Sequence, residues 1–188
     1  MRVQTATVPG RTMSESGTSR EAESEAEFSA LVREHQSMVF GIALNFLHDR
    51  ASAEEVAQDV FLQLYRQRER LESPGHVTAW LRRVACHRSI DYVRSRHLER
   101  RISIEDIGER ASVTTPDDPM LREKLRKLIL SLGEKAKMVM ILRYQEDLDP
   151  EEIARELEMP VRTVKSHLQR SLALLREKFG RALGEKLG

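Results

Sequence analysis

The chain has few of the residues that stabilise small secreted domains. Its 188 residues include a single cysteine, Cys86, so an internal disulfide is excluded. Aromatic residues make up 5% of the chain and hydrophobic residues 40%, a balance that suits helical modules with aliphatic cores. No apolar run approaches the roughly 20 residues of a membrane span. No apolar stretch follows Arg2 and Arg11, so no secretory signal is expected and a cytoplasmic protein is the simplest interpretation.

Patterns typical of catalytic or metal sites are also missing. Cys86 and His87 are adjacent, but no second ligand pair accompanies them, and the six histidines show no ligand spacing. The sequence contains neither a nucleophile elbow nor a glycine-rich phosphate loop. We therefore expect no catalytic residue, no metal site and no cofactor, and the chain is not predicted to be an enzyme.

Charge is segregated along the chain, although the net charge is only +1. Residues 66–101 hold ten basic and four acidic residues, and residues 120–188 hold fifteen and eleven. Residues 102–119, between these blocks, hold one basic and five acidic residues. A soluble protein can show such blocks by chance, but two basic blocks on helical modules also suit a polyanion that is contacted at two places.

Helical spacing of apolar residues occurs in two parts of the chain, without strand alternation. The pattern predicts an all-α fold with two small helical domains, residues 27–98 and 120–180, joined by a flexible linker at residues 99–119. Residues 1–26 are predicted to be a disordered tail, and residues 181–188 are the C-terminal end. Helices are expected from residue 28 to the stretch His48-Asp49-Arg50, after a capping box at residues 52–55, over residues 77–96 and at residues 121–132 and 139–144.

Within these helices, the spacing of apolar residues also predicts which side chains are buried. The second helix is expected to bury one side, formed by Val56, Ala57, Val60, Phe61, Leu64 and Tyr65. Trp80 is either a core residue or a platform on which a base stacks, and we favour the core.

The segment DPEEIARELEMPVRTVKSHLQR predicts two short helices with a tight turn between them. Asp149 is a good N-cap, Pro150 suits the first helical position, and Glu152 completes a capping box, whereas Pro160 ends the first helix. In the second helix, aliphatic residues fall on one side and hydrogen-bond donors on the other. A helix-turn-helix that binds DNA is favoured over a plain solvated amphipathic helix.

The segment ILRYQEDLDPEEIARELEMPVRTVKSHLQRSLALLR resembles the C-terminal DNA-binding domain, region 4, of extracytoplasmic-function (ECF) sigma factors in the sigma-70 family. SAEEVAQDVFLQLYRQ and TAWLRRVACHRSIDYVRSR resemble region 2 of the same family. The resemblance implies a transcription initiation factor that joins core RNA polymerase and directs it to promoters. Region 4 would read the −35 element as duplex DNA, and region 2 would bind the −10 element as it melts. An anti-sigma factor is a further possible partner, whereas no membrane and no small-molecule substrate is implied.

The resemblance also implies site residues. For the −35 element they are Arg162, Thr163, Lys165, Ser166, Gln169 and Arg170, with Arg162 and Glu158 standing where the family commonly has glycine. For the −10 element they are Arg82, Arg83, His87, Arg88, Asp91, Arg94 and Arg96, with residues 72–76 as a loop beside the pocket and His87 where many relatives have asparagine. For polymerase they are Glu55, Gln58, Asp59 and Leu62.

Two other functional classes fit parts of the sequence. A stand-alone helix-turn-helix regulator would bind an operator without polymerase, usually as a dimer on paired half-sites. A helical adaptor would bind only protein, but the basic residues between Arg82 and Arg96 argue against it.

Overall fold

The computed structural model describes the backbone of residues 15–67, 73–102 and 131–184, and the side chains of residues 24–67, 73–96 and 131–178. These parts form helices and contain no strand, as predicted. The helices are α1 (Glu15–Leu47), α2 (Arg50–Gln67), α3 (Pro74–Ile102), α4 (Glu134–Tyr144), α5 (Pro150–Glu156) and α6 (Val161–Gly184). None of these described helices combines the length and the apolar character that a membrane span requires.

The chain divides into two compact units, residues 1–34 and residues 35–188. The described part of the first unit is the N-terminal portion of α1, which begins at Glu15. The structure therefore differs from the predicted tail over residues 15–26, which include four glutamates and two alanines, residue types of high helix propensity. Residues 1–14, and the predicted linker and helix between residues 103 and 130, lie outside the described residues.

The second unit contains two helical modules. The N-terminal module consists of residues 35–47 of α1 together with α2 and α3, and α2 packs against α3. The C-terminal module consists of α4, α5 and α6, which all pack against one another. Aliphatic side chains fill both cores, as the composition suggested, and fully buried examples are Ile42, Val60, Leu81, Met138, Leu142, Ile153 and Val164. The predicted burial of Tyr65 is wrong, since 45% of this residue is exposed.

The junction between α1 and α2 is capped one turn earlier than predicted. Helix α1 ends at Leu47, followed by His48 in the left-handed region with a φ of 54°. Asp49 is the residue that caps α2, since its carboxylate accepts a hydrogen bond from the Ser52 backbone N–H at 2.9 Å. The predicted Ser52–Glu55 capping box is therefore wrong. The Tyr92 hydroxyl instead lies 2.9 Å from Ser52 Oγ and 3.0 Å from Glu55 Oε2, which ties α3 to α2.

Helix α3 begins at Pro74, within the segment that was predicted to be a loop. Ser73 Oγ accepts a hydrogen bond from the His76 backbone N–H at 3.3 Å, and Pro74 suits a first helical position because it has no N–H to satisfy. The expectation of a loop is thus wrong for residues 74–76, and Glu72 lies outside the described residues. Residues 99–102, placed in the linker by the sequence, continue α3 to Ile102.

The helix-turn-helix forms as its local sequence predicts. Asp149 Oδ1 accepts from the Glu152 N–H at 2.7 Å, and Glu152 Oε2 accepts from the Asp149 N–H at 2.8 Å, which completes the capping box before α5. After α5 the chain turns at Glu158, whose φ is 50°, and the Met159 N–H donates to the Ala154 carbonyl at 3.0 Å. This bond pattern is that of a Schellman turn, in which glycine usually takes the left-handed position.

Replacing Glu158 by glycine is expected to stabilise the chain by about 0.5–1 kcal/mol. The left-handed backbone costs a non-glycine residue roughly 1–2 kcal/mol, and glycine removes this cost. Glycine's greater freedom in the unfolded chain offsets part of the gain. Thermal unfolding, monitored by circular dichroism, measures the change in stability. An alanine at the same position is the control, because it removes the carboxylate but keeps the backbone strain. Equal melting temperatures for the glycine and alanine variants would show that relief of this strain does not stabilise the chain.

Candidate nucleic-acid interface

Helix α6 presents a polar face to solvent. Arg162, Lys165, Gln169 and Arg170 are exposed, Thr163 and Ser166 are half-buried, and Val164 is fully buried on the opposite side. These six polar residues, here named the α6 polar face, are the ones predicted to contact the −35 element. Their guanidinium, ammonium, hydroxyl and amide groups are the ones that hydrogen-bond base edges and phosphates.

One residue of the α6 polar face has an intramolecular partner. Lys165 Nζ donates to Glu151 Oε1 at 3.0 Å, which links the second helix of the motif to the first. Both side chains are about half exposed, and exposed pairs of this kind contribute little to stability. Lys165 can therefore exchange Glu151 for a DNA phosphate or base at small cost.

Helix α3 places some of the predicted −10 residues together and separates others. Arg83, His87, Asp91 and Arg94 lie at spacings of four and three residues and so share one side of the helix, here named the α3 basic face. His87 is half-buried, and the other three are exposed. Trp80 on the same helix is half-buried, which is less burial than the predicted core position implies.

The remaining predicted −10 residues are not on that face. The Arg88 guanidinium donates to the side-chain oxygen of Gln63 on α2. The Arg96 guanidinium lies 5.3 Å from the centroid of the Tyr92 ring. Arg82 points towards the C-terminal module, where its Nε lies 3.7 Å from Glu146 Oε2 and its Nη1 lies 3.8 Å from Glu156 Oε1.

The carboxylate partners of Arg82 were not anticipated from the sequence. Glu156 is the last residue of α5, and only 8% of its side chain is exposed. Its second oxygen lies 3.6 Å from Arg83 Nε. Burial raises the pKa of Glu156, and the nearby Arg82 and Arg83 oppose this shift. No sequence signal marks Glu156, because its partners lie more than 70 positions earlier on a different module.

Helix α2 carries the predicted polymerase-binding residues on one exposed face. Glu55, Gln58, Asp59 and Leu62 lie at positions i, i+3, i+4 and i+7, which share one side of a helix, and all four are exposed. Leu62 is 53% exposed, so this face, here named the α2 docking face, combines acidic and polar groups with an apolar side chain. Isolated exposed leucines are common, but a mixed face of this kind suits a protein partner better than DNA.

Cys86 lies in the core rather than in a site. It is completely buried, and burial raises the pKa of its thiol, with Glu156 adding to the effect. The neutral thiol is favoured there, whereas metal binding needs the thiolate. Within the residues that the structure describes, no group of three or more histidine, cysteine, aspartate or glutamate side chains is arranged to hold a metal ion.

A helical module with a mixed exposed face, followed by a capped helix-turn-helix with an exposed row of donors, suits a transcription factor that contacts both protein and DNA. Family models agree with this class: Sigma-70 region 2 matches residues 31–99, and Sigma-70, region 4 matches residues 122–175. The chain belongs to the ECF sigma factors of the sigma-70 family, and it is an RNA polymerase sigma factor.

Similar proteins span most of the chain. The RNA polymerase sigma-E factor of Streptomyces coelicolor is 31% identical over 153 residues, which cover 81% of this chain and 86% of that protein. The ECF RNA polymerase sigma factor SigW of Bacillus subtilis is 25% identical over 165 residues, with 81% and 88% coverage. A solved structure of the sigma factor RpoE in complex with the anti-sigma factor NepR from Bartonella quintana has a TM-score of 0.71 at 18% identity and covers 82% of this chain and 97% of that one, which shows the shared fold.

Proposed function

We propose that the chain contacts a promoter at two places while it is bound to core RNA polymerase. The α6 polar face reads the −35 element as duplex DNA, the α3 basic face holds one strand of the −10 element, and the α2 docking face binds the polymerase. The observation that carries this proposal is the exposed row of donors on the second helix of a capped helix-turn-helix. The polymerase performs the chemistry, so the chain is not an enzyme, and it acts in the cytoplasm.

At the −35 element, the side-chain types on α6 support both positioning and base recognition. Lysine and arginine bind the major-groove acceptors of guanine, glutamine pairs with adenine, and a serine hydroxyl bonds to either. Arg162 and Thr163 lie in the first turn of α6, where backbone N–H groups and the helix dipole also favour phosphate. Lys165, Ser166, Gln169 and Arg170 are therefore proposed as base readers, with Arg162 and Thr163 at the DNA backbone.

At the −10 element, the α3 basic face provides two exposed arginines on either side of a half-buried imidazole. Arg83 and Arg94 supply positive charge for the phosphates of a single strand, and His87 offers a ring that stacks on or hydrogen-bonds an unstacked base. Each of the five arginines has a side-chain partner in the free chain, so the proposed role of all five requires exchange of those partners. They are Arg82, Arg83, Arg88, Arg94 and Arg96.

Replacing His87 by asparagine is expected to change the base preference at the −10 element. The ratio of initiation efficiencies between templates with different bases should shift by about tenfold, since one good base contact contributes roughly 1–3 kcal/mol of discrimination. Run-off transcription from templates with a randomised −10 element measures the preference. The matched control is His167→Asn, the same exchange at a half-buried position of α6. An unchanged −10 preference in the His87 variant would count against the assignment.

An anti-sigma factor is a further proposed partner. The solved structure with the shared fold contains a sigma factor bound to such a protein. The α2 docking face and most of the α6 polar face are exposed in this chain and so are accessible to a partner.

Run-off transcription with purified core polymerase on fragmented genomic DNA tests the proposed function. Defined start sites that require both the chain and the core enzyme are expected. A stand-alone regulator would instead protect operator DNA without polymerase, usually as a dimer, and an adaptor would bind no DNA in either condition. Either of these two results would overturn the proposal.

A further inference from the structure

Arg96 lies on the opposite side of α3 from the α3 basic face. It follows His87 by nine residues, which at about 100° per residue places the two side chains roughly 180° apart around the helix. The Arg96 guanidinium lies 5.3 Å from the centroid of the Tyr92 ring, and Tyr92 is on the side of α3 that packs against α2. To reach a strand held by His87, Arg96 would have to leave this ring and extend around the helix.

Hydrogen bonds from α3 to α2 fix the Tyr92 ring beside the α2 docking face. The Tyr92 hydroxyl lies 2.9 Å from Ser52 Oγ and 3.0 Å from Glu55 Oε2. Ser52 donates its own hydroxyl proton to the Asp49 carboxylate, so it accepts from Tyr92. The single proton of the phenol therefore has two acceptors, and Glu55 can bind a partner while Ser52 keeps the ring in place.

The contact of Arg96 with Tyr92 uses no oxygen acceptor. A cation over a ring face is held by the π electrons of the ring, so the guanidinium N–H donors stay available for a carboxylate or a phosphate. The other four arginines predicted to hold the −10 strand differ, because each has a carboxylate or amide oxygen as a partner among the described side chains. Arg96 is also exposed, so a partner can reach it while it remains over the ring.

The charges beside Arg96 indicate which partner it binds. Glu55 contacts Tyr92, and Asp59 follows Glu55 one turn along the α2 docking face. These two carboxylates repel a DNA strand, in which every phosphate is negative. A protein surface can instead present an acidic group to Arg96 and basic groups to the carboxylates, and such complementary charges also fix the register of docking. The surroundings of Arg96 therefore favour a protein partner over DNA.

We infer that Tyr92 and Arg96 extend the α2 docking face onto α3, so that Arg96 pairs with an acidic group of core RNA polymerase and does not hold the −10 strand. Tyr92 is a positioning residue, because it holds the guanidinium beside Glu55. This inference rests on the proposed binding of polymerase to α2. It goes beyond that proposal because docking then depends on both helices, and the residues of α3 are divided between polymerase and DNA.

The first test measures the affinity of the variant Arg96→Gln for core polymerase. Titration of labelled chain at low ionic strength, monitored by fluorescence anisotropy, should show binding about fivefold weaker than that of the unmodified chain, and added salt should reduce the difference. The matched control, Arg176→Gln, removes the same charge from an exposed position of α6 outside the α6 polar face, and its affinity should change by less than about twofold. Equal affinities for the two variants would overturn the inference, whereas no binding by the unmodified chain would overturn the proposed function itself.

The second test separates polymerase docking from strand binding. The complex of chain and core polymerase, formed at saturating polymerase, is titrated with a fluorescent single-stranded oligonucleotide that contains the −10 element of a mapped promoter. The complex with Arg96→Gln should bind the strand within about twofold of the unmodified complex, whereas Arg94→Gln, the same exchange on the α3 basic face, should weaken strand binding about fivefold. A strand affinity as low for Arg96→Gln as for Arg94→Gln would return Arg96 to the −10 site and overturn the inference.

The role of Tyr92 is tested by combining two substitutions. Tyr92→Phe keeps the ring but removes the hydroxyl that ties it to α2, and it should weaken polymerase binding about threefold. Because Tyr92 acts through Arg96, the same substitution should change the affinity of the Arg96→Gln variant by less than about 1.5-fold. A merely structural contribution of Tyr92 would weaken binding equally in both backgrounds, and that result would overturn the positioning role.

Discussion

Replacing Leu62 by alanine is expected to weaken binding of the chain to core RNA polymerase by roughly four- to fifteenfold. Leu62 is 53% exposed beside Gln58 and Asp59, so its side chain makes few contacts within the chain and is available to a partner. Complete burial of a leucine contributes about 1.5–3 kcal/mol, and about half of this is still available to a side chain that is 53% exposed, which corresponds to this loss of affinity. Titration of labelled chain with core polymerase, monitored by fluorescence anisotropy, measures the dissociation constant.

Two comparisons make this result specific to the α2 docking face. Gln58→Ala on the same face should weaken polymerase binding by a smaller factor and leave promoter preference unchanged. Gln67→Ala removes an exposed side chain that projects from another side of α2 and should have no effect. A Leu62 variant with unchanged polymerase affinity, or a Gln67 variant as weak as the Leu62 variant, would show that polymerase does not bind this face.

Replacing Lys165 by alanine is expected to reduce initiation at promoters that depend on the −35 element by about tenfold or more. A lysine that contacts a base edge contributes roughly 1–3 kcal/mol of recognition, and its exposed pair with Glu151 adds little to stability. The folded chain should therefore be as stable as before, and its binding to polymerase should not change. Run-off transcription from one promoter, with and without a scrambled −35 element, measures the effect.

The control for this variant is Lys135→Ala. Lys135 is an exposed lysine on α4, outside the α6 polar face, so its loss changes the net charge equally. A merely electrostatic contribution would make the two variants equally weak on every template. A base-reading role instead makes the Lys165 defect disappear on the template with the scrambled −35 element, and a defect that persists there would contradict it.

Local signals account for the parts of the site that the sequence predicted well. Asp149, Pro150, Glu152 and Pro160 fix the ends of α5 through groups within a few residues of one another, so the helix-turn-helix follows from capping chemistry alone. The same reasoning was wrong at α2, where Asp49 caps the helix in place of Ser52. Both residues are good N-caps, and burial of Ser52 against α3 decides between them.

Contacts between distant residues account for what the sequence could not predict. Arg82 was grouped with the other basic residues of α3, but its carboxylate partners lie at positions 146 and 156 on the other module. Tyr65 was placed in the core because its spacing from Phe61 and Leu64 fits a buried side, whereas the helices that pack on α2 cover Leu64 and leave Tyr65 at the edge. The N-terminal part of α1 contains no large apolar residue before Phe28, so an apolar pattern could not report it.

Contact with one promoter at two separate sites, one of them melted, can be observed directly by footprinting. At a start site mapped by run-off transcription, the chain and core polymerase together should protect upstream duplex from nuclease and make downstream thymines reactive to permanganate. Neither component alone should do so. Protection of paired half-sites by the chain alone, with no reactive thymines when polymerase is added, would contradict the account.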